Sequence, residues 1–181
     1  MNLLIRFFYI VLKNLIFKRP LGTFDKSIIK LRVLPTDLDL NFHMNNGRYL
    51  TLMDIGRSEF LIRFGMLKVV LTEKLQPVAA GINIVFFKPL APFAKYTLHT
   101  SVVSWDDEWF YLQQDFVKDK KVMARAVAKV AFLKKGRKLD PQVMLKKLNH
   151  LEAKPIMPVF LEELIKGEKL LVNEIKKINN S

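Results

Sequence analysis

The sequence predicts an α+β domain in which a long central helix is wrapped by a curved five-stranded antiparallel sheet, with helical extensions at both ends. Two observations carry this. A strand-like segment and a polar loop lead into one long helical pattern, and four strand-like segments then follow in succession with no second long helix between them. The ends, residues 1–22 and 139–181, differ in composition from the 23–138 body that they flank.

Taken in order, residues 1–17 are apolar but carry Arg6 and Lys13 one heptad apart. In a helix these share a face with Asn2, leaving Leu3, Leu4, Phe7, Phe8, Val11, Leu12 and Leu15 on the remainder. The apolar run is short of the about twenty residues that span a bilayer, and no small-residue cleavage site follows it. Two readings stand: an anchor lying in a membrane interface, assisted by Lys18 and Arg19, or a helix packed on its own domain or a partner subunit. Pro20 and Gly22 end the segment. Ile28–Leu34 reads as a strand stopped by Pro35, and residues 36–45 as a polar loop. A helix capped by Asn46 or its neighbour then runs to about Phe64, with Tyr49, Met53, Phe60 and Phe64 on one side, Gly56 allowing close approach, and Arg57, Glu59 and Arg63 on the solvated face. The four strands are expected at Val78–Phe87, Ala94–Ser104, Trp109–Val117 and Lys121–Leu133, with a hairpin turn at residues 105–108. A basic linker follows, with a short helix near 141–149. A last helix over about 159–177 carries the stripe Phe160, Leu164, Leu171 and Ile175.

Totals narrow the chemistry. A chain of 181 residues that is 50% hydrophobic has enough material for one domain with a sizeable core. It has no cysteine, which removes disulfides, thiolate metal sites and a cysteine nucleophile together. Thirty basic residues against 17 acidic ones give a formal charge of +13, which suits nucleic acid, an anionic membrane surface or a phosphorylated small molecule. No zinc-finger, RNP or helix-turn-helix signature appears, so nucleic acid is not an expected partner. His99 and His150 have no neighbouring ligand spacing, so no metal is expected. Neither a Gly-x-Ser-x-Gly elbow nor a glycine-rich phosphate loop is present.

The chemistry concentrates in residues 35–57. Asp39, Asn41 and His43 fall at alternate positions and would point to one side of an extended backbone. Asn45, Asn46 and Gly47 follow at the start of the helix, where free N–H groups and the positive dipole end favour a developing negative charge. A general base, polar positioning groups and an oxyanion stabiliser would thus converge in nine residues. Each has a plain alternative: aspartate caps turns, asparagine caps helices, and a lone histidine is often a structural donor. Asp37 is read as structural.

The segments RVLPTDLDLNFHMNNGRYLTLMDIGR and SWDDEWFYLQQDFV resemble the hotdog-fold acyl-CoA thioesterases, in particular the thioesterase superfamily member 6-like and 4-hydroxybenzoyl-CoA thioesterase-like groups. The first also resembles the Asp-x-Asn-x-His-x-x-Asn segment of plant acyl-carrier-protein thioesterases. The resemblance covers about residues 28–135 and implies a hotdog fold, a homodimer or dimer of dimers with sites at the subunit interface, and hydrolysis of a coenzyme A or carrier-protein thioester. It implies no cofactor, coenzyme A being part of the substrate. Catalytic roles carry over to Asp39, Asn41 and His43, with Asn45, Asn46, Gly47 and Tyr49 as substrate-binding residues. The related branch has a further catalytic carboxylate; Gln76 and Asn83 stand where it is sought. Asp39 would act as general base toward water or attack directly to give an anhydride. Lys134, Lys135, Arg137 and Lys138 are read either as contacts for coenzyme A phosphates or as a solvated basic tail. The second function class is a non-catalytic hotdog protein that holds a lipid or acyl thioester at a membrane. The expected location is cytoplasmic, peripheral on a membrane through residues 1–19.

Overall fold

The computed structural model describes residues 3–16 and 19–180, excluding the side chains of residues 3, 4 and 14–16. Its elements are α1 (Leu3–Ile16), β1 (Ser27–Arg32), a 3-10 turn at Pro35–Asp37, α2 (Asn46–Arg63), α3 (Met66–Thr72), β2 (Gln76–Phe86), β3 (Lys95–Trp105), β4 (Phe110–Lys118), β5 (Lys121–Lys134), β6 (Arg137–Lys138), α4 (Pro141–Lys147) and α5 (Val159–Asn179). The sheet runs β1-β3-β4-β5-β2, and the two-residue β6 pairs with β5. Every pairing is antiparallel. The chain leaves β1 at one edge and returns as β2 at the other, so α2, between them in sequence, lies across the inner face. That is the helix-wrapped arrangement expected from the sequence.

Strand alternation decides which residues reach the helix. Tyr96, Leu98, Thr100 and Val102 of β3 are buried, as are Phe110, Leu112 and Phe116 of β4 and Ala124, Ala126 and Ala128 of β5. Leu98, Phe116 and Ala124 stand opposite one another in register. Small residues on β5 beside large ones on β4 leave room for α2 to settle. Tyr49, Leu52, Met53, Ile55, Phe60 and Ile62 fill that space from the helix, each worth about 1.5–3 kcal/mol when fully buried.

Gly56 sets the closeness of helix and sheet. A Cβ there would stand 2.8 Å from Leu98 Cδ2, 2.9 Å from Gln114 Nε2 and 3.0 Å from Thr100 Oγ1. Gln114 is itself fixed, donating to the Met53 carbonyl at 3.0 Å and to Thr100 Oγ1 at 3.1 Å, and accepting from Arg57 Nη1 at 2.8 Å. Gly56→Ala should therefore cost about 1–3 kcal/mol through overpacking, read from urea unfolding.

Glu59 departs from expectation. It belongs not to the solvated face but to the interior, at 2% exposure. Arg63 pairs with it at 3.2 Å, and the Ser27 hydroxyl of β1 donates to its other oxygen. The partner strand supplies that hydroxyl, so helix periodicity alone gives no sign of it. Burial raises the Glu59 pKa above the ordinary glutamate value, with Arg63 opposing. The folded state then holds the Glu59 proton more tightly than the unfolded chain does. Its stabilising contribution is full below the unfolded glutamate pKa and lost as pH rises through the folded one. Measured against Glu59→Gln, the wild type should lose relative stability across that window.

The extensions also differ in detail. On α1, Arg6 and Ile10 are buried against the domain while Lys13 is exposed, so the two basic residues do not share a solvated face. Phe7 and Val11 are partly buried, and Ile5, Phe8, Tyr9 and Leu12 point outward. Asn2, Lys18 and the side chains of Leu3, Leu4 and Leu15 lie outside the described residues. On α5 the anchor is Leu161, packed with Tyr111 and Val127 and flanked by Ile165, instead of the expected stripe. Phe160, Leu171 and Ile175 are exposed because only the first turns of α5 lie against the sheet.

Candidate active site

Asp37 organises the loop between β1 and α2. Its carboxylate is buried and accepts from Arg6 Nη2 at 2.7 Å and from the Leu34 N–H at 2.9 Å. Arg48 Nε lies 3.8 Å away. The Asp37 carbonyl accepts the Asn45 N–H at 2.8 Å, tying the loop's entry to its exit. Leu38 and Met44 form an isolated antiparallel bridge, and the Met44 N–H reaches the Leu90 carbonyl at 3.0 Å.

The tip, residues 39–43, is not extended. The Asp39 N–H donates to the His43 carbonyl at 2.9 Å, and the Phe42 N–H to the Asp39 carbonyl at 3.1 Å. Phe42 sits at φ 55, in the left-handed region, a conformation that costs of order 1–3 kcal/mol for such a residue. Alternation therefore does not align Asp39, Asn41 and His43. Instead the Asp39 carboxylate gathers the other two through their backbone: Oδ1 accepts the Asn41 N–H at 2.9 Å and the His43 N–H at 3.4 Å. Oδ2 is left for other work. The side chains of Asn41 and His43 are exposed and have no partner among the described residues.

Asn45 caps α2, its side chain accepting the Gly47 N–H at 2.8 Å. The cap thus consumes one of the two amides expected to serve an oxyanion. The Asn46 N–H has no partner among the described residues and remains available. Tyr49 is 2% exposed. Its ring packs edge-on against Phe86 at 5.0 Å and Phe116 at 4.7 Å, so it sits in the core behind the loop. Arg48, which the sequence reading passed over, donates to the Thr36 carbonyl at 2.9 Å and braces the loop. Gln76 and Asn83 are exposed on β2. In the basic segment, Lys134 pairs with Glu73 at 3.1 Å and Lys138 with Glu108 at 2.8 Å, so those two charges are already engaged.

An apolar cavity of about 540 Å3 lies farther along α2, lined by Phe60, Phe64, Val102, Leu112 and Phe132, with Phe7 of α1. Asp54 and Arg57, paired with each other, are its charged lining groups. No group of three His, Asp or Glu side chains able to hold a metal ion occurs among the described residues.

Known proteins resemble this chain in sequence and in fold. The probable thioesterase YBR096W of Saccharomyces cerevisiae is 26% identical over 152 residues, covering 74% of this chain and 66% of the yeast protein. Protein THEM6 of Xenopus laevis is 38% identical over 85 residues, 47% of this chain and 41% of the frog protein. The chain thus spans less than two thirds of the length of these relatives. Among solved structures, YbaW, a probable thioesterase from Escherichia coli, superposes with a TM-score of 0.63 at 19% identity, covering 68% of this chain and 96% of that one. It shares the hotdog fold. Residues 33–164 match the Thioesterase-like superfamily, a span that includes the whole loop and central helix, and the chain belongs to that superfamily.

Proposed function

We propose that the chain hydrolyses acyl-coenzyme A or acyl-carrier-protein thioesters at the Asp39 loop. The observation that carries this reading is the Asp39 carboxylate, held through Oδ1 by two backbone N–H groups, in the loop that leads into the free Asn46 N–H at the start of α2. Water attacks the thioester carbonyl carbon while Oδ2 takes its proton, or Oδ2 attacks first and water then opens the anhydride. In either route negative charge grows on the carbonyl oxygen, where a donor such as the Asn46 N–H is worth about 3–4 kcal/mol. His43 protonates the departing thiolate, and Asn41 holds the water or the carbonyl. Asn45 and Gly47 shape the helix start that receives the thioester, and Tyr49 backs it from the core.

The apolar cavity supports a place for the acyl chain. From Asn46 to Asp54, at its charged lining, is eight residues, about 12 Å of helix. Coenzyme A enters as part of the substrate, and the reaction draws on no cofactor. Among solved relatives in fold, BH1999 is described as a gentisyl-coenzyme A thioesterase and SAV2348 of Staphylococcus aureus as a complex with CoA. A second copy is the partner we favour for β2, whose 11 residues carry no charge and leave Ile82, Val85 and Phe86 exposed at a sheet edge. Purified protein assayed against acyl-CoAs from short to long chain should turn over at least one. No turnover across that panel would remove the enzymatic reading.

A second reading has its own observation. Ile5, Phe8, Tyr9 and Leu12 form an outward apolar stripe on α1, and no described helix is long and apolar enough to cross a membrane. That combination suits a helix lying in the membrane interface. It fits an enzyme held at a membrane and equally a non-catalytic protein that holds a lipid or acyl thioester there. Bound ligand recovered without turnover would favour the latter.

A further inference from the structure

A groove of about 950 Å3 runs between α1 and the β1-β3-β4 side of the sheet, apart from the Asp39 loop and the apolar cavity. Six cationic side chains line it: Arg6, Lys30, Arg32, Lys95, Lys118 and Lys120. Its acidic lining is weaker. Asp115 is held by Arg125 through bonds of 2.7 and 2.9 Å, and Asp119 lies 3.9 Å from Lys118. Arg32 and Lys95 stand directly opposite each other across β1 and β3, a like-charge juxtaposition that destabilises a sheet. An anion seated on that face would offset it. Arg6 is 5% exposed and Tyr96 4% exposed. Arg6 Nη1 and the Tyr96 hydroxyl have no hydrogen-bond partner among the described residues. Both atoms are sealed from solvent, so the exposed cations of the groove are the groups that meet a ligand.

From this arrangement we infer that the groove binds a phosphate group, carried on an anionic lipid headgroup. A phosphate has acceptor oxygens enough for the Arg32 guanidinium and the ammonium groups of Lys30 and Lys95, which share the exposed face of β1 and β3. Tyr9 argues for the lipid as its source, because it lines the groove and also belongs to the outward stripe of Ile5, Phe8 and Leu12. A headgroup seated in the groove would leave its acyl chains beside that stripe. The inference rests on the interfacial reading of α1 and assigns the headgroup chemistry that reading leaves open.

Flotation of the full chain tests it, using vesicles of phosphatidylcholine alone and vesicles that also contain phosphatidate. Binding should be much stronger to the second. Each basic residue near an anionic surface contributes about fivefold, so Lys30→Ala/Lys95→Ala/Lys120→Ala should weaken phosphatidate binding roughly a hundredfold. Lys169→Ala/Lys176→Ala/Lys177→Ala on α5 removes the same charge and should change it less than about fivefold. Equal losses in the two triple variants would mean that net charge alone binds, and would overturn the groove. Inorganic phosphate and coenzyme A, tested as competitors and by thermal shift, should compete weakly. Strong competition by either would assign the site to a soluble phosphate instead of a lipid. Flotation on neither vesicle would remove the interfacial reading of α1, while the thermal-shift arm would still report on the groove.

Discussion

Asp39→Asn should lower the rate constant for acyl-CoA hydrolysis by about 10²–10⁴-fold, the usual range for loss of a positioned general base. The substitution separates chemistry from architecture unusually well. An amide at this position keeps the oxygen that accepts the N–H groups of Asn41 and His43, so the turn at residues 39–43 survives. What goes is the negative oxygen that takes the proton or attacks the carbonyl. The Michaelis constant should stay near the wild-type value, because the lost interaction belongs to the transition state. Asn41→Ala and His43→Ala should have smaller effects, since alanine keeps the backbone N–H groups that hold the Asp39 carboxylate. Steady-state kinetics with an unfolding curve for each variant checks this. Rates within threefold of wild type, in a folded Asp39→Asn protein, would remove Asp39 from the mechanism. Label on the Asp39 carboxylate after a single turnover in heavy-oxygen water would show direct attack, with water opening the anhydride at the aspartyl carbonyl.

The elements were legible in the sequence because the signals that set them are local. Alternation over residues 94–104 places Tyr96, Leu98, Thr100 and Val102 on the buried face, and the pleat alone requires it. What escaped depends on partners distant in sequence. Glu59 reads as surface until Ser27 of β1 is placed against it, and Arg6 reads as part of a solvated face until Asp37, 31 residues on, accepts it. The loop is an intermediate case. Alternating polar residues suggest an extended strand, but an aspartate side chain that accepts the N–H two residues on makes a turn. That signal was present in Asp39-Leu40-Asn41, and it outweighs alternation in a segment with no strand partner beyond the Leu38–Met44 bridge. The left-handed Phe42 carries no sign in its residue type. Asn45, not Asn46, proves to be the cap, which decides which amide is left free for an oxyanion.

Asp37→Ala should destabilise the fold by about 3–5 kcal/mol, the usual cost of stranding the partner of a buried charge. Asp37 is 2% exposed and Arg6 5%. Removing the carboxylate leaves the Arg6 guanidinium without the acceptor that holds it among the described residues. It also orphans the Leu34 N–H and takes away the neighbour of Arg48. For a chain of this size the loss corresponds to a fall in the melting midpoint of about 6–20 °C. The double variant Arg6→Met/Asp37→Leu should recover most of it, because an apolar pair of similar volume often matches or exceeds a buried ion pair. Comparison with Asp39→Asn then assigns the two carboxylates separately. Asp37→Ala should act on stability first, with any activity loss following from loop disorder and regained in part in the double variant. Asp39→Asn should act on rate and leave stability alone. If instead Asp37→Ala unfolds like wild type and abolishes turnover, the roles are reversed, and the buried Arg6–Asp37 pair belongs to the chemistry.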